Sequence, residues 1–237
     1  MSSRYGVLES VADMFVPVHR DGHKLLGIGL ALTVIFFFIW SPLGWLCAIG
    51  TSCLAYFFRD PDRVIPLRDG LVIASADGKI ASIEKVAPPV ELALSGGDRV
   101  RISTVLSLCD MQVSRVPVAG RITRSVYVPG AFFAASNEKA SEDNERRALV
   151  IETPSGAEIA VLQIAGILSR RIVTFVAEGD SVGVGQRFGL IRFSSRVDIY
   201  LPVGAHALVS VGQRMIAGET VVADLKSDEP EREARRG

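Results

Sequence analysis

The side chains best suited to acid–base, nucleophilic or metal chemistry are scarce in this chain of 237 residues: three histidines and three cysteines. His19 and His23 precede a long apolar stretch, and His206 follows a strongly apolar run in a Gly-Ala-His turn, so no His-based metal site is expected. Cys47, Cys53 and Cys109 have unrelated spacings that form neither a disulfide framework nor a zinc-ligand set, as suits a reducing compartment. Walker, G-x-G-x-x-G, G-x-S-x-G and H-E-x-x-H motifs are absent, which removes the common phosphate-cradling, serine-hydrolase and zinc-protease chemistries. Asp77 stands in an Ala-Asp-Gly segment, and taken alone an Asp-Gly pair reads as a hairpin turn.

The elements that must position any site divide sharply by composition. Overall, 26 basic residues balance 26 acidic ones and 49% of the chain is apolar, with a mean hydropathy of +0.32. Such values exclude a disordered chain, and a neutral chain lacks the basic surface of a nucleic-acid binder. Much of the apolar excess lies in Leu25 to Phe58, 34 residues without one charge. As one helix this stretch would reach about 51 Å, well beyond a hydrocarbon core of roughly 30 Å. Ser41-Pro42-Leu43-Gly44 interrupts it near the middle, so two helices of about 16 residues folded as a hairpin are predicted, each near 24 Å. Trp40 and Trp45 flank the break, while Arg4, Arg20, Lys24 and Arg59 lie at the open end. Residues 1–60 therefore read as a membrane-anchoring hairpin with both termini in the cytoplasm, on the cytoplasmic face of the cell membrane. A buried helical pair is disfavoured by the length of the uncharged run, and a cleaved signal peptide by its late start.

From residue 61 to about 225 short β-branched runs alternate with Gly, Pro, Asn and Asp, among them Leu71–Gly78, Lys79–Val86, Val100–Ser107, Phe188–Gly204 and Ala207–Gln213. This predicts a mainly β domain, an antiparallel β sandwich or barrel-like fold. The polar stretch Phe132–Arg147 reads as a surface helix or loop, and the charged tail, 226–237, as disordered. One internal echo pairs Glu178 to Gly189 with Val211 to Val221, each containing a turn of the kind Val-Gly-Gln-Arg or Val-Gly-Val-Gly-Gln-Arg. Similar turns occur in lipoyl and biotinyl carrier domains, but no lysine lies between Lys139 and Lys226 to carry the group. The echo is therefore read as shared hairpin geometry rather than as a carrier or scaffold module.

Several segments stand in a definite order: Pro17-Val18-His19-Arg20-Asp21-Gly22, Tyr56-Phe57-Phe58-Arg59-Asp60-Pro61, Ser75-Ala76-Asp77-Gly78-Lys79-Ile80 and Asp110-Met111-Gln112-Val113-Ser114-Arg115-Val116-Pro117. Asn137 to Arg146, Gln163-Ile164-Ala165-Gly166 with Arg170-Arg171-Ile172, and Arg187 to Asp198 follow. Together, from about residue 17 to 225, they resemble the phosphatidylserine decarboxylase family in its short bacterial and archaeal form. The resemblance implies a proenzyme that cuts itself between Ser194 and Ser195. Ser195 would become a covalent pyruvoyl group, and the fragments would form a heterodimer of large and small subunits; further assembly is left open. The ketone would form a Schiff base with the phosphatidylserine amine, releasing CO2 and leaving phosphatidylethanolamine. Asp77 matches the acidic residue that supports proton transfer during cleavage. No metal and no nucleic-acid partner is implied.

Two positions depart from the family pattern. Ser194 stands where Gly usually precedes the cleavage serine and frees the backbone for a strained turn. Gln112 stands where the family usually has His; a carboxamide does not titrate near neutral pH, and loss of a general acid costs on the order of 10²- to 10⁴-fold. These departures motivate the alternative of a paralogue that binds aminophospholipid without decarboxylating it.

Overall fold

In the computed structural model, residues 17–18, 20–107, 109–133, 143–167, 172–191 and 195–227 are described. The chain forms two compact units, residues 1–62 and 63–237.

The first unit is a helical pair. Helix α1 spans Arg20–Ile39 and α2 spans Ser41–Phe57. The break falls at Trp40, and Pro42 lies in the first turn of α2, where its missing N–H costs nothing. Helix α1 is longer than the sequence analysis anticipated, 20 residues or about 30 Å, because it begins before the uncharged run. Gly22–Ile39 is thus long and apolar enough to cross a membrane. The arms run antiparallel through small residues: Thr33 Oγ1 lies 3.3 Å from Thr51 Oγ1, a Cβ on Gly29 would meet Thr51, and one on Gly44 would meet Phe37. Phe37 and Trp45 then stack edge to face at the turn. At the open end, Asp60 N–H donates to Pro17 O, and a Cβ on Gly22 would meet the Phe58 side chain at 2.7 Å. This brings together the two flanking segments that the sequence comparison singled out. Ile28, Leu30, Val34, Phe38, Ile39, Trp40 and Trp45 remain exposed, a larger apolar surface than an ordinary soluble unit leaves open.

The second unit is β. Its strands are β1 Leu71–Ile73, β2 Gly78–Val86, β3 Arg99–Leu106, β4 Val113–Arg115, β5 Gly120–Val128, β6 Arg146–Glu152, β7 Glu158–Ile164, β8 Ile172–Thr174, β9 Ser181–Val182, β10 Arg187–Ile191, β11 Ser195–Tyr200, β12 Arg214–Met215 and β13 Val221–Asp224. Eight of them form one antiparallel sheet in the order β12-β2-β3-β11-β7-β6-β5-β9; β4-β10-β8 and β1-β13 form smaller sheets. One face of the large sheet, with Ile102, Val161, Val197 and Ile199, shares a core with Val72, Phe188, Ile191 and Val222 from the smaller sheets and with Val116 just beyond β4. The other face carries a second cluster of Leu92, Leu162, Ile164 and Tyr200. The mainly β expectation is met. Phe188–Gly204 is two strands rather than one, and Ala207–Gln213 is a loop between strands.

The internal echo has a structural basis. Gly185 N–H donates to Val116 O while Gln186 O accepts from Val116 N–H; Gly212 and Gln213 do the same to Ile80. In each turn the glutamine Oε1 caps the N–H three residues earlier, at Gly183 and Ser210. Gly179 and Asp180 repeat this docking on Ile122, with the Asp180 carboxylate capping Ala177 N–H. All three glycines have φ between +73° and +94°, which a side chain would strain.

Candidate active site

Sheet register gathers the predicted residues at one end. Arg196 in β11 pairs with Val105 in β3 and with Ile164 in β7; Ser195 pairs with Leu106. Lys79 in β2 also pairs with Val105, and Arg146 in β6 with Ile164. The Asp77-Gly78 turn, the exit of β3, the start of β11, the exit of β7 and the start of β6 therefore share one edge. Ser194 lies outside the described residues, and of Ser195 the backbone is described. Because β3 lies between, about two strand spacings, roughly 10 Å, separate the Asp77 turn from Ser195.

Asp77 is held from both oxygens. Ala217 N–H donates to Oδ1 at 2.7 Å, and the Arg63 guanidinium donates to Oδ2 at 2.8 Å. Gly78 at φ +150° has its hydrogen against Val105 O, where a Cβ would fall 2.5 Å away; no other residue allows the Asp77 turn to lie so close to β3. Burial pushes the Asp77 carboxyl above its usual range, against the pull of Ala217 and Arg63.

The loop leaving β3 is closed by its own side chains. Asp110 Oδ2 accepts from both the N–H and the hydroxyl of Ser107 at 2.8 Å, and its other oxygen takes Arg214. Gln112 is buried and donates Nε2 to Ser107 O at 3.1 Å and Asp110 O at 2.7 Å, while its Oε1 has no partner. Gln112 O accepts from Ile191 N–H, so the loop grips the last residue of β10, four residues before Ser195. Arg63 also reaches Met111 Sδ at 2.7 Å, tying the Asp77 turn to this loop.

Further residues belong to this end that sequence reasoning had left without a role. Arg196 and Asp198 are 4% and 0% exposed. Arg196 Nε donates to Asp198 Oδ1 at 2.7 Å and its terminal nitrogen to Ser103 Oγ at 2.6 Å. Two residues on, Tyr200 is pushed up to about 12 by burial and by the Asp198 charge. Gln163, fully buried, donates to Ser114 Oγ at 2.9 Å, and its Oε1 is unpartnered beside the hydrogen of Gly189. The Arg196, Asp198, Gln163 and Asp110 positions all lay inside the segments quoted above; Arg63 lay in none of them. His206 is not here. It follows the opposite end of β11, whose six residues span about 17 Å or more. Among the described residues no group of histidine, cysteine and carboxylate side chains could hold a metal.

Two expected outcomes follow from these charges. With its folded pKa raised, neutral Asp77 stabilises the fold at low pH, and that contribution is lost as pH rises through the folded value. Denaturant unfolding at several pH values should show wild type losing stability relative to Asp77→Asn from the ordinary carboxylate range upward; parallel curves would deny the burial effect. Arg196→Met takes the Nε donor away from the fully buried Asp198 carboxylate and should cost about 3–5 kcal/mol, most of it recovered in Arg196→Met/Asp198→Leu. A double variant as unstable as the single would mean that packing, not charge, sets the loss.

The family model described as phosphatidylserine decarboxylase matches residues 51–223. A phosphatidylserine decarboxylase proenzyme of Nitrobacter winogradskyi is 55% identical over 218 residues, covering 92% of this chain and 88% of that protein. Another phosphatidylserine decarboxylase proenzyme, of Ruegeria pomeroyi, is 53% identical over 210 residues, covering 89% of this chain and 96% of that protein.

Proposed function

The chain belongs to the phosphatidylserine decarboxylase family of carboxy-lyases, and we propose that it is a membrane-associated proenzyme that cuts itself between Ser194 and Ser195 and then converts phosphatidylserine to phosphatidylethanolamine and CO2. The observation that carries this reading is the register that sets Ser195 at the head of β11, on the same sheet edge as the Asp77 turn and the loop 107–112. In self-cleavage Ser195 Oγ attacks the Ser194 carbonyl and gives up its proton, turning the amide into an ester. Elimination frees the Ser194 carboxylate and leaves dehydroalanine at 195; its imine tautomer takes up water and releases ammonia, leaving the pyruvoyl group. Asp77, with a carboxyl whose proton affinity burial raises, is the base of this sequence, acting across β3 through an intervening water or hydroxyl.

The residues present suit a pyruvoyl group and an amine-bearing substrate. The group supplies an electrophilic carbonyl that takes up the electrons released with CO2. Gln112 Oε1 and Gln163 Oε1 are buried acceptors without donors, and an amine headgroup offers N–H donors to such atoms. Arg196, bonded to Asp198 and Ser103, holds the head of β11 in the sheet once the bond before it is cut. Membrane association through residues 1–60, on the cytoplasmic face, keeps the enzyme with its lipid.

Gln112 favours one other reading. Both of its amide hydrogens are directed to loop carbonyls, so it closes the loop and has no proton to give. A chain that processes itself but leaves the lipid intact would be the aminophospholipid-binding paralogue.

Intact-mass measurement separates these. Two fragments, the second starting with a pyruvoyl group at 195, are expected; a single 25.5 kDa chain overturns the enzyme reading. Ser195→Ala should abolish cleavage, and cleavage in that variant would place the nucleophile elsewhere. The cleavage rate should rise with pH through a value above the ordinary carboxylate range, and Arg63→Gln, which removes a pull that lowers the Asp77 value, should move that rise to higher pH. A profile unmoved by Arg63→Gln would assign the base to another group. Gln112→His should raise lipid turnover, at least about 10-fold where proton delivery limits the rate; unchanged turnover would assign the proton to a different residue.

A further inference from the structure

Beyond the anchoring hairpin, we infer that the β unit carries a second lipid-contacting surface, formed by Phe132, Phe133 and Ile167 around the sheet edge where β11 begins, that enters the headgroup region of the bilayer. The inference rests on the proposed decarboxylase reading, because it takes phosphatidylserine as substrate.

Phe132, Phe133 and Ile167 are 38%, 50% and 60% exposed, although each is large and apolar and lies beside hydrogen-bonded backbone. Fully buried Asn144 builds that backbone. Its Oδ1 accepts from Phe133 N–H at 2.9 Å, and its Nδ2 donates to Phe133 O at 2.9 Å and Ala165 O at 2.8 Å. Ala131 bridges Asn144, and Ala165 N–H donates to Glu145 O. The chain ends of β5, β6 and β7 are thereby fastened side by side, with the aromatic pair on one and Ile167 on another. Since Ile164 pairs with Arg196, this apolar patch stands at the same sheet edge as Ser195. Tyr127, about half exposed near the end of β5, adds an amphipathic ring of the kind that settles at headgroup depth.

The substrate supplies the occupant. In phosphatidylserine the reacting amine and carboxylate lie only one phosphodiester from the glycerol, whose acyl chains stay in hydrocarbon. A group at position 195 meets them only where its own end of the sheet touches the interface. Polar side chains there would have to be held off; phenylalanines and an isoleucine favour a shallow position among the headgroups. A second copy of the chain could cover the same patch, and the experiment distinguishes it.

The full chain is made with Cys47, Cys53 and Cys109 replaced by Ser, and with Phe133→Cys or Ser155→Cys carrying an environment-sensitive fluorophore. It is reconstituted in phosphatidylcholine–phosphatidylserine vesicles containing a lipid spin-labelled near the headgroup. Ser155 is exposed in the β6–β7 turn, at the far end of the sheet. Quenching at 133 and none at 155 is expected. In parallel, Phe132→Ser/Phe133→Ser should cut turnover of vesicle phosphatidylserine by about 10-fold or more. Self-cleavage and turnover of a dispersed short-chain phosphatidylserine should stay within about twofold, which also shows that the variant folds. An active enzyme whose 133 label is unquenched overturns the surface and leaves the decarboxylase reading standing; a blue-shifted but unquenched label assigns the patch to a second copy. Quenching at 133 in a chain that turns over neither lipid supports the surface and refutes the reading on which it rests.

Discussion

Strand β11 is held on both sides, by β3 and by β7, and its first residue is Ser195. Everything placed at the site depends on that pairing. Antiparallel register advances the partners of neighbouring residues in lockstep, so pinning Arg196 to Val105 and Ile164 also sets where Leu106, Ala165, Gly78 and Glu145 fall. A buried ion pair reinforces the register from within. Arg196 is locked to Asp198 on its own strand and to Ser103 across the ladder, and a slip of one residue would turn both charges to the opposite, wholly apolar face. Buried pairs add little net stability, yet breaking one is costly, which makes this pair a lock on register more than a source of binding energy.

In the proposed self-cleavage this lock would let the strand keep its place after the bond before it is cut. A newly freed chain end ordinarily frays, since its terminal residues have lost a covalent neighbour and regain backbone entropy. Here the second residue is a buried arginine with two bonded partners, and the fourth is a fully buried aspartate. The electrophile formed at the first residue would thus sit on a strand end that stays paired. Gln112 O in turn accepts from Ile191 N–H, which holds the last residue of β10.

How much of this was legible in the sequence depended on the range of each interaction. The break between α1 and α2 is a local matter of Ser41-Pro42 and was read to within one residue. The β texture was read from Gly and Asp punctuation, and so was the likeness of the Gln186 and Gln213 turns. The third turn escaped because Asp180 does the work of those glutamines with a shorter side chain. The ordered segments were found, and the fold brings Asp77, Gln112 and Ser195 to one edge, but their mutual support was hidden. Arg63 reaches Asp77 from a stretch with no regular structure, and nothing local marks it. Arg196 and Asp198 alternate along β11 as solvent-facing polar residues would, yet both are buried, on the face that also carries the Leu162, Ile164 and Tyr200 cluster, a long-range event invisible in strand periodicity.

What remains unpaired is informative. Ser75 Oγ, Gln112 Oε1 and Gln163 Oε1 are buried acceptors with no donor, each costing on the order of 1–3 kcal/mol. Around them Asn144 and Asp110 are bonded through both of their polar side-chain atoms. Gln112 and Gln163 both lie within a few residues, along the ladder, of the head of β11. Each gives amide hydrogen to protein partners and keeps a buried oxygen without a donor. A histidine at 112 would have offered one donor in place of two and could not have closed the loop on both Ser107 O and Asp110 O. The glutamine therefore exchanges a titrating group for a firmer loop, and the acceptor it leaves over is polarity that a substrate with an amine headgroup is built to satisfy.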